Sequence, residues 1–139
     1  MKFHTVVGVV AASFVLAGCG VGKPFVQSGV GTAESAHIVT DSDHLSDVAG
    51  WDRRIYIRTV DGTDTHPGLG LMPEEAYLSE GPHKLDIVYM YMGAKASGHL
   101  QLVAHRGHEY VIHRQQEGNR MRFWITDGPA GAVVGGIAD

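Results

Sequence analysis

Residues 84–92, KLDIVYMYM, carry the strongest strand pattern in the chain. Alternate positions are apolar, and this period of two is typical of a half-buried β-strand. The opposite face begins polar and ends apolar, so we expect one end of the strand to be covered on both sides. The predicted core-facing residues are Leu85, Ile87, Tyr89 and Tyr91.

Further strand patterns lie on both sides of this stretch. β-Branched and aromatic residues alternate in WDRRIYIRTV, and the turn signal Asp61-Gly62 follows. The pattern predicts strands over residues 51–60, 84–92, 99–105, 108–114 and 121–126, a loop over 93–98 and an edge strand over 132–134. It therefore predicts an all-β domain over residues 51–135, a small antiparallel β-sandwich or barrel of five to seven strands.

The first 20 residues have a different character. Lys2 precedes an apolar run over residues 5–16. That run is shorter than the ~20 residues of a membrane-spanning helix and is typical of a signal peptide. It leads into Leu16-Ala17-Gly18-Cys19, which contains the only cysteine in the chain.

These four residues resemble a bacterial lipobox, and the chain thus resembles a bacterial lipoprotein. The resemblance implies that a signal peptide, residues 1–18, is removed and that Cys19 carries a covalent lipid. With Gly20 rather than aspartate after the cysteine, it also implies an outer-membrane rather than an inner-membrane location, facing the periplasm. The alternatives are an ordinary signal peptide with an incidental cysteine and an uncleaved anchor.

The lipid on Cys19 is the only cofactor-like group that we expect. Each buried CH₂ contributes about 0.8 kcal/mol, so several acyl chains on one residue would anchor the chain permanently. Residues 19–50 are rich in glycine and serine at first and predict a flexible tether, with strand-forming residues at 37–39. Residues 136–139 predict a frayed tail.

Charge and motifs exclude several functions. The formal net charge is −4, and no basic cluster is present that could neutralise phosphates, so we expect no nucleic-acid partner. The chain lacks a G-x-S-x-G elbow, a Walker loop and an H-E-x-x-H motif. We therefore expect no enzymatic activity.

Histidine is unusually frequent, with nine residues. His105 and His108 flank a predicted turn and could ligate Zn or Cu together, with a third imidazole from His66 or His83. His113 lies about 16 Å along the next strand, too far for the same ion. The alternative is that these are surface imidazoles without a metal.

Aromatic residues indicate a possible binding surface. A two-sided sheet cannot bury every aromatic residue, and exposed aromatic side chains commonly anchor protein interfaces. The alternative is that both faces are covered near the ends of the sheet. The candidates are Tyr56, Tyr89, Tyr91 and Trp124.

The C-terminal part contains the segments Gly81-Pro82-His83-Lys84-Leu85, Gly107-His108-Glu109-Tyr110 and Trp124-Ile125-Thr126-Asp127-Gly128. In these segments it resembles small β-sandwich domains of the carboxypeptidase-regulatory or PEGA type. The resemblance implies a non-catalytic accessory module, and no functional residue transfers with it. The sequence thus predicts a lipid-anchored accessory or binding module that contacts membrane lipid and another envelope protein. The alternative is a periplasmic metal-binding lipoprotein.

Overall fold

A computed structural model describes residues 22–46, 50–68 and 70–137. The predicted signal peptide and Cys19 lie outside these residues. The described part has ten strands, one 3₁₀ turn at Thr32–Glu34 and no α-helix. The strands are β1 (Phe25–Val26), β2 (Ala36–Thr40), β3 (Arg54–Val60), β4 (Thr63–Asp64), β5 (Glu75–Leu78), β6 (Gly81–Tyr91), β7 (Ala94–Ala104), β8 (Glu109–Glu117), β9 (Arg120–Asp127) and β10 (Val133–Ile137).

All ten strands form one curled sheet, a half-barrel, in the order β1-β5-β2-β8-β9-β10-β7-β6-β3-β4. The predicted all-β class is confirmed. The predicted number of five to seven strands is too low, because short strands before and after β3 join the sheet. The sheet is also mixed rather than antiparallel, since β1 pairs with β5 and β2 with β8 in parallel.

The hairpin of β6 and β7 is the longest element, with 11 residues in each strand. Met92 and Gly93 form its turn, both with positive φ. The predicted loop over residues 93–98 was wrong, because residues 94–98 belong to β7. Small residues of β7 lie opposite large ones of β6: Ala96 pairs with Tyr89, and Gly98 with Ile87.

The folded part begins earlier than residue 51. β2 lies between β5 and β8, inside the segment predicted to be a tether. Ala36 and Ile38 of this strand are completely buried. Glycine and serine around it suggested flexibility, but the apolar side chains of Ala36–Thr40 provide enough burial to fix it in the sheet.

The last strand is internal to the sheet. β10 lies between β9 and β7, and its Gly136 and Ile137 pair with β7. The predicted edge strand and frayed tail are thus replaced by a pairing strand as far as residue 137. Gly135 permits the close approach, because a Cβ there would lie 2.5 Å from the Gln101 carbonyl oxygen.

The concave side of the half-barrel contains the core. Alternating residues of the longer strands fill it, as the period-two pattern predicts. The largest fully buried side chains include Tyr110, Ile38, Ile55, Ile57, Leu85, Ile87, Leu100 and Ile125.

Hydrogen bonds join the two sides of the curled sheet along a seam between β3 and the segments near β2 and β5. The Ile57 amide donates to the Pro73 carbonyl at 2.8 Å, and the Ile55 amide donates to Ser42 Oγ at 2.9 Å. These contacts bring polar side chains from distant parts of the sequence together at the seam.

Candidate functional sites at the two ends of the half-barrel

The half-barrel has two different ends. The hairpin end carries the β6–β7 turn at Met92-Gly93 and the β8–β9 turn at Gly118-Asn119. The histidine end carries the β7–β8 turn over residues 105–108 and the β9–β10 turn over residues 128–132.

A cavity of about 330 Å³ opens at the hairpin end. It continues the concave face beyond the core, where Ala94 and Ala96 of β7 leave space opposite two tyrosines of β6. Its lining combines aromatic, amide and cationic side chains: Tyr89, Tyr91, Lys95, Gln116, Arg120 and Met121.

Two guanidinium groups lie over the tyrosine rings at this end. The Arg53 guanidinium carbon is 4.7 Å from the Tyr91 ring centre, and that of Arg114 is 5.6 Å from the Tyr89 ring centre. Both distances are typical of cation–π contacts. Asp43 is the carboxylate nearby, 3.4 Å from Arg114 and 3.8 Å from Arg53.

The charges around the cavity favour an anionic group. Lys95 and Arg120 line it, and none of its described lining residues is acidic. The Nε atom of Arg114 is buried nearby and has no hydrogen-bond partner in the described part of the chain. A carboxylate entering the cavity would therefore meet Lys95 and Arg120, while the nearby Asp43 carboxylate contacts Arg114 and Arg53 instead.

The other two aromatic candidates do not line this cavity. Trp124 alternates with the buried Phe123 and Ile125, so it lies on the convex face. Its ring stacks on His113 with 5.4 Å between the centroids. Burial raises the pKa of Tyr56, and Arg54 partly opposes that change. Sequence reasoning therefore grouped four aromatic residues, of which the structure brings two together.

His105 and His108 are close at the histidine end, as predicted. Their ring centroids are 5.7 Å apart. Nδ1 of His108 lies 2.9 Å from Asp127 Oδ2, and Nδ1 of His105 lies 3.7 Å from Glu80 Oε1. Each imidazole therefore has a carboxylate beside the same ring nitrogen.

Backbone hydrogen bonds hold this turn in place. The His108 amide donates to the His105 carbonyl at 3.2 Å, and the Gly107 amide donates to the Ser35 carbonyl at 3.1 Å. The His105 amide donates to the hydroxyl of Tyr110 at 2.8 Å. Because Tyr110 is almost completely buried, the core itself fixes the position of His105.

His83 has a different role from the one predicted for it. The ring is 5% exposed, with Nδ1 at 2.6 Å from Asp61 Oδ2 and Nε2 at 2.7 Å from the Ser79 carbonyl. Both neighbours are acceptors, so only a doubly protonated ring, or a proton on Asp61, satisfies them. Asp61 has a positive φ of 51° and also accepts from the Lys84 amide. His83 thus ties the β3–β4 turn to β6.

A larger cavity of about 510 Å³ lies beside this pair. Asp61, His83 and the exposed Val103 are among its lining residues. The Asp61 carboxylate and the His83 ring are hydrogen-bonded within the protein, so they do not present free polar groups to a ligand. Lys84 is the one lysine or arginine among the described residues that line this cavity, whereas the cavity at the hairpin end has Lys95 and Arg120 beside two tyrosines, so the latter is the better candidate for binding an acidic group.

The remaining metal candidate, His66, lies in the loop after β4 and packs against Gly70. In the sheet order, β3 and β6 separate β4 from the strand that precedes His105. Within residues 22–46, 50–68 and 70–137, no group of three or more His, Cys, Asp or Glu residues is arranged to hold a metal ion.

Contacts with carboxylates account for much of the histidine excess. Among the described residues, seven histidines have a carboxylate oxygen within 4 Å of a ring nitrogen. Sequence spacing does not reveal this relationship, because each partner lies at least 13 residues away along the chain. The pairs are His37 with Glu75 and Glu109, His44 with Glu74, His83 with Asp61, His99 with Asp86, His105 with Glu80, His108 with Asp127 and His113 with Asp41.

One of these groups has the composition of a nucleophilic triad but not its hydrogen-bond directions. His113 Nε2 lies 2.7 Å from the Thr126 hydroxyl, with Asp41 3.8 Å from Nδ1. The Thr126 hydroxyl donates to the Gly128 carbonyl at 2.6 Å. Nε2 of His113 must then be the donor to Thr126, whereas a general base must accept that proton. This group therefore stabilises the turn and does not activate Thr126.

Glu74 is the most unusual carboxylate at the seam. It is 4% exposed, and neither oxygen forms a hydrogen bond within the described residues, although His44 Nε2 lies 3.4 Å away. Burial raises the pKa of Glu74 above its usual value, while the charges of His44 and Arg54 oppose the change. Sequence reasoning missed this residue, since a glutamate in a glycine- and proline-rich segment suggests exposure.

Comparison with protein-family models, curated proteins and solved structures finds no match to the chain. No helix among the described residues combines the length and the hydropathy that crossing a membrane requires. The functional argument therefore rests on the residues themselves.

Proposed function

We propose that this chain is a lipid-anchored accessory module of a bacterial envelope that binds another envelope protein and has no catalytic activity. The resemblance of Leu16-Ala17-Gly18-Cys19 to a lipobox supports the anchor, with the domain facing the periplasm and the outer membrane favoured over the inner. The observation that carries the binding role is the aromatic and cationic cavity at the hairpin end.

The cavity suits a short acidic segment of a partner protein. Lys95 and Arg120 provide the positive charge, and Tyr91 and Met121 provide apolar surface beside it. A carboxylate with a neighbouring apolar side chain would use both features at once. Binding such a segment needs no group beyond these side chains. Catalysis would need a nucleophile beside a base, which the described residues that line the cavity do not provide.

The anchor is tested with radiolabelled palmitate in bacteria that express the full chain. We expect the wild-type protein to incorporate label and Cys19→Ala to incorporate none, because the thiol is the attachment point that the lipobox implies. Equal labelling of both proteins would refute the lipid anchor.

The binding role is tested by placing a photo-crosslinking amino acid at Met121, which faces the cavity, in the otherwise native chain in intact envelopes. We expect a discrete crosslinked partner band, which Arg120→Glu reduces at least tenfold by reversing a charge at the cavity.

Arg122→Glu is the matched control. Arg122 lies two residues away in the same strand and does not line the cavity. We expect the band to persist in this variant. Absence of the band in the wild-type protein, or its equal loss in both charge variants, would contradict binding at the hairpin end.

A further inference from the structure

His105 and His108 differ from the other histidines because their rings lie next to each other. Among the described residues, theirs is the one pair of histidine rings in contact, with 5.7 Å between the centroids. The pair lies at the histidine end, away from the cavity to which we assign partner binding. A ligand at these two rings would therefore bind whether or not that cavity holds a partner.

The carboxylates beside the two rings select the nitrogen that remains available. Asp127 accepts a hydrogen bond from His108 Nδ1, which places the ring hydrogen on Nδ1 and leaves the lone pair on Nε2. Glu80 Oε1 lies on the Nδ1 side of His105, at 3.7 Å, which is close enough for an electrostatic contact but too long for a hydrogen bond. Metal-binding histidines show this arrangement, in which a carboxylate orients the ring through the nitrogen that does not bind the metal.

The two rings are accessible and their backbone is fixed. The side chains of His105 and His108 are 59% and 46% exposed, so an ion can reach Nε2 from solvent. The backbone hydrogen bonds to Ser35 and to Tyr110 hold the turn before any ion binds. Binding therefore requires little ordering of the chain.

We infer that His105 and His108 form a two-imidazole site for a divalent transition-metal ion, Zn²⁺ or Cu²⁺, bound through their Nε2 atoms. Imidazole suits both ions. Water or a second copy of the chain completes the coordination, so the site needs no third protein ligand from the same copy. His83 takes no part, because both of its ring nitrogens already contact protein acceptors.

The test uses the untagged, full-length mature protein in detergent, stripped with a chelator and titrated with Zn²⁺ alone and with Cu²⁺ alone. We expect one ion for each chain, or for each pair of chains where a second copy completes the site. His105→Gln and His108→Gln should each weaken binding at least tenfold, and the Cu²⁺ electron paramagnetic resonance spectrum should lose nitrogen coupling.

His99→Gln is the matched control, because His99 is also exposed and also contacts a carboxylate, Asp86 at 2.6 Å. It has no neighbouring imidazole in the described part of the chain, so we expect its removal to leave metal affinity unchanged. Equal weakening by His99→Gln, or binding that survives both His105→Gln and His108→Gln, would overturn the site.

Asp127 acts as a positioning residue in this arrangement. Asp127→Ala removes the acceptor on Nδ1 and should weaken binding about 10- to 100-fold. Asp127→Asn retains a carbonyl acceptor and should restore part of that loss. As a test independent of the variants, a saturating concentration of Zn²⁺ should raise the Tm of the wild-type protein; the absence of any shift would also overturn the site.

Discussion

The two ends of the half-barrel use the same sheet in opposite ways. At the histidine end, side chains hold the turns: Tyr110 accepts from the His105 amide, and Asp61 accepts from the Lys84 amide and contacts the His83 ring. At the hairpin end, arginines lie over Tyr89 and Tyr91 beside an open cavity. The turns of the first end are closed by directional bonds, although the larger cavity also lies there, and the second end presents cations and tyrosine rings beside an open cavity.

This difference indicates that one end of the sheet contributes mainly to stability and the other mainly to binding. The described residues contain no disulfide that could stabilise the sheet instead. Hydrogen bonds between turns fix one end, so the other can leave polar groups such as Arg114 Nε without a partner. An unpaired buried polar group costs about 1–3 kcal/mol. The hairpin end bears such a cost, and the closed end helps to compensate for it.

The largest expected change in the free energy of unfolding comes from truncating one tyrosine at each end. Tyr110→Ala should lower the free energy of unfolding by about 4 kcal/mol, because it empties a fully buried site. Tyr91→Ala should lower it by about 1 kcal/mol, because that ring is only partly buried and chiefly loses its contact with Arg53. Urea denaturation of both variants measures the difference, and equal losses would remove the distinction between a closed and an open end.

A smaller effect isolates the hydrogen bonds of the closed end. His83→Gln should lower the free energy of unfolding by about 2 kcal/mol, because one amide cannot reach both Asp61 and the Ser79 carbonyl. His66→Gln serves as a control in the loop after β4, with an expected change within about 0.5 kcal/mol. Denaturation at fixed pH compares them, and a His83→Gln variant as stable as the control would show that this pair does not close the end.

The pH dependence of stability should have opposite signs for two carboxyl groups. Burial raises the pKa of Glu74 above 4.5 in the fold. Its contribution to stability is therefore complete below pH 4.5 and is lost as the pH rises through the raised pKa. Glu74→Gln should remove that loss. The unfolding free energy should therefore fall less from pH 4.5 to neutral than in the control Glu75→Gln, which changes a neighbouring, half-exposed carboxylate. A steeper fall in Glu74→Gln would contradict the burial argument.

Asp86 provides the smallest expected effect. Hydrogen bonds from His99 and then Thr59 lower its pKa below 3.8, so its contribution is present above pH 3.8 and is lost as the pH falls through the lowered pKa. Thr59→Val removes one donor, 2.7 Å from Oδ2. This substitution should move the pKa of Asp86 back toward 3.8 and lower the free energy of unfolding by about 0.5 kcal/mol. Nuclear magnetic resonance titration of the carboxyl carbon measures the pKa, and an unchanged value would exclude the Thr59 bond.

The sequence predicted those parts of the fold where alternation is strong. In β6, the residues expected in the core face the concave side, and β9 follows the same rule. In β3 the alternation holds as far as Ile57, where a β-bulge before Thr59 puts Val60 into the core. The first half of β7 was missed because Ala94, Ala96 and Gly98 have low strand propensity. Their small size is needed opposite Tyr91, Tyr89 and Ile87, and a pairing partner is not visible in local sequence.

The candidate sites were predictable to the extent that they were local. His105 and His108 are three residues apart, so a turn brings them together in any hairpin. Asp127 comes from the end of β9 and Glu80 from the turn between β5 and β6, and no spacing rule identifies them. The same limit applied to Glu74 and to the arginines over the tyrosines, since their environment is created by the curl of the sheet.

The position of β2 has a consequence for the time course of folding. This early strand pairs with β8, and His37 and Glu109 are 72 residues apart. During synthesis at about 5–20 residues per second, β2 would wait roughly 4–14 s for that neighbour to be made. Until then, Ala36 and Ile38 have no β8 to cover one edge of their strand. Folding of the sheet is therefore a late event, and a chain that ends before residue 109 cannot complete it.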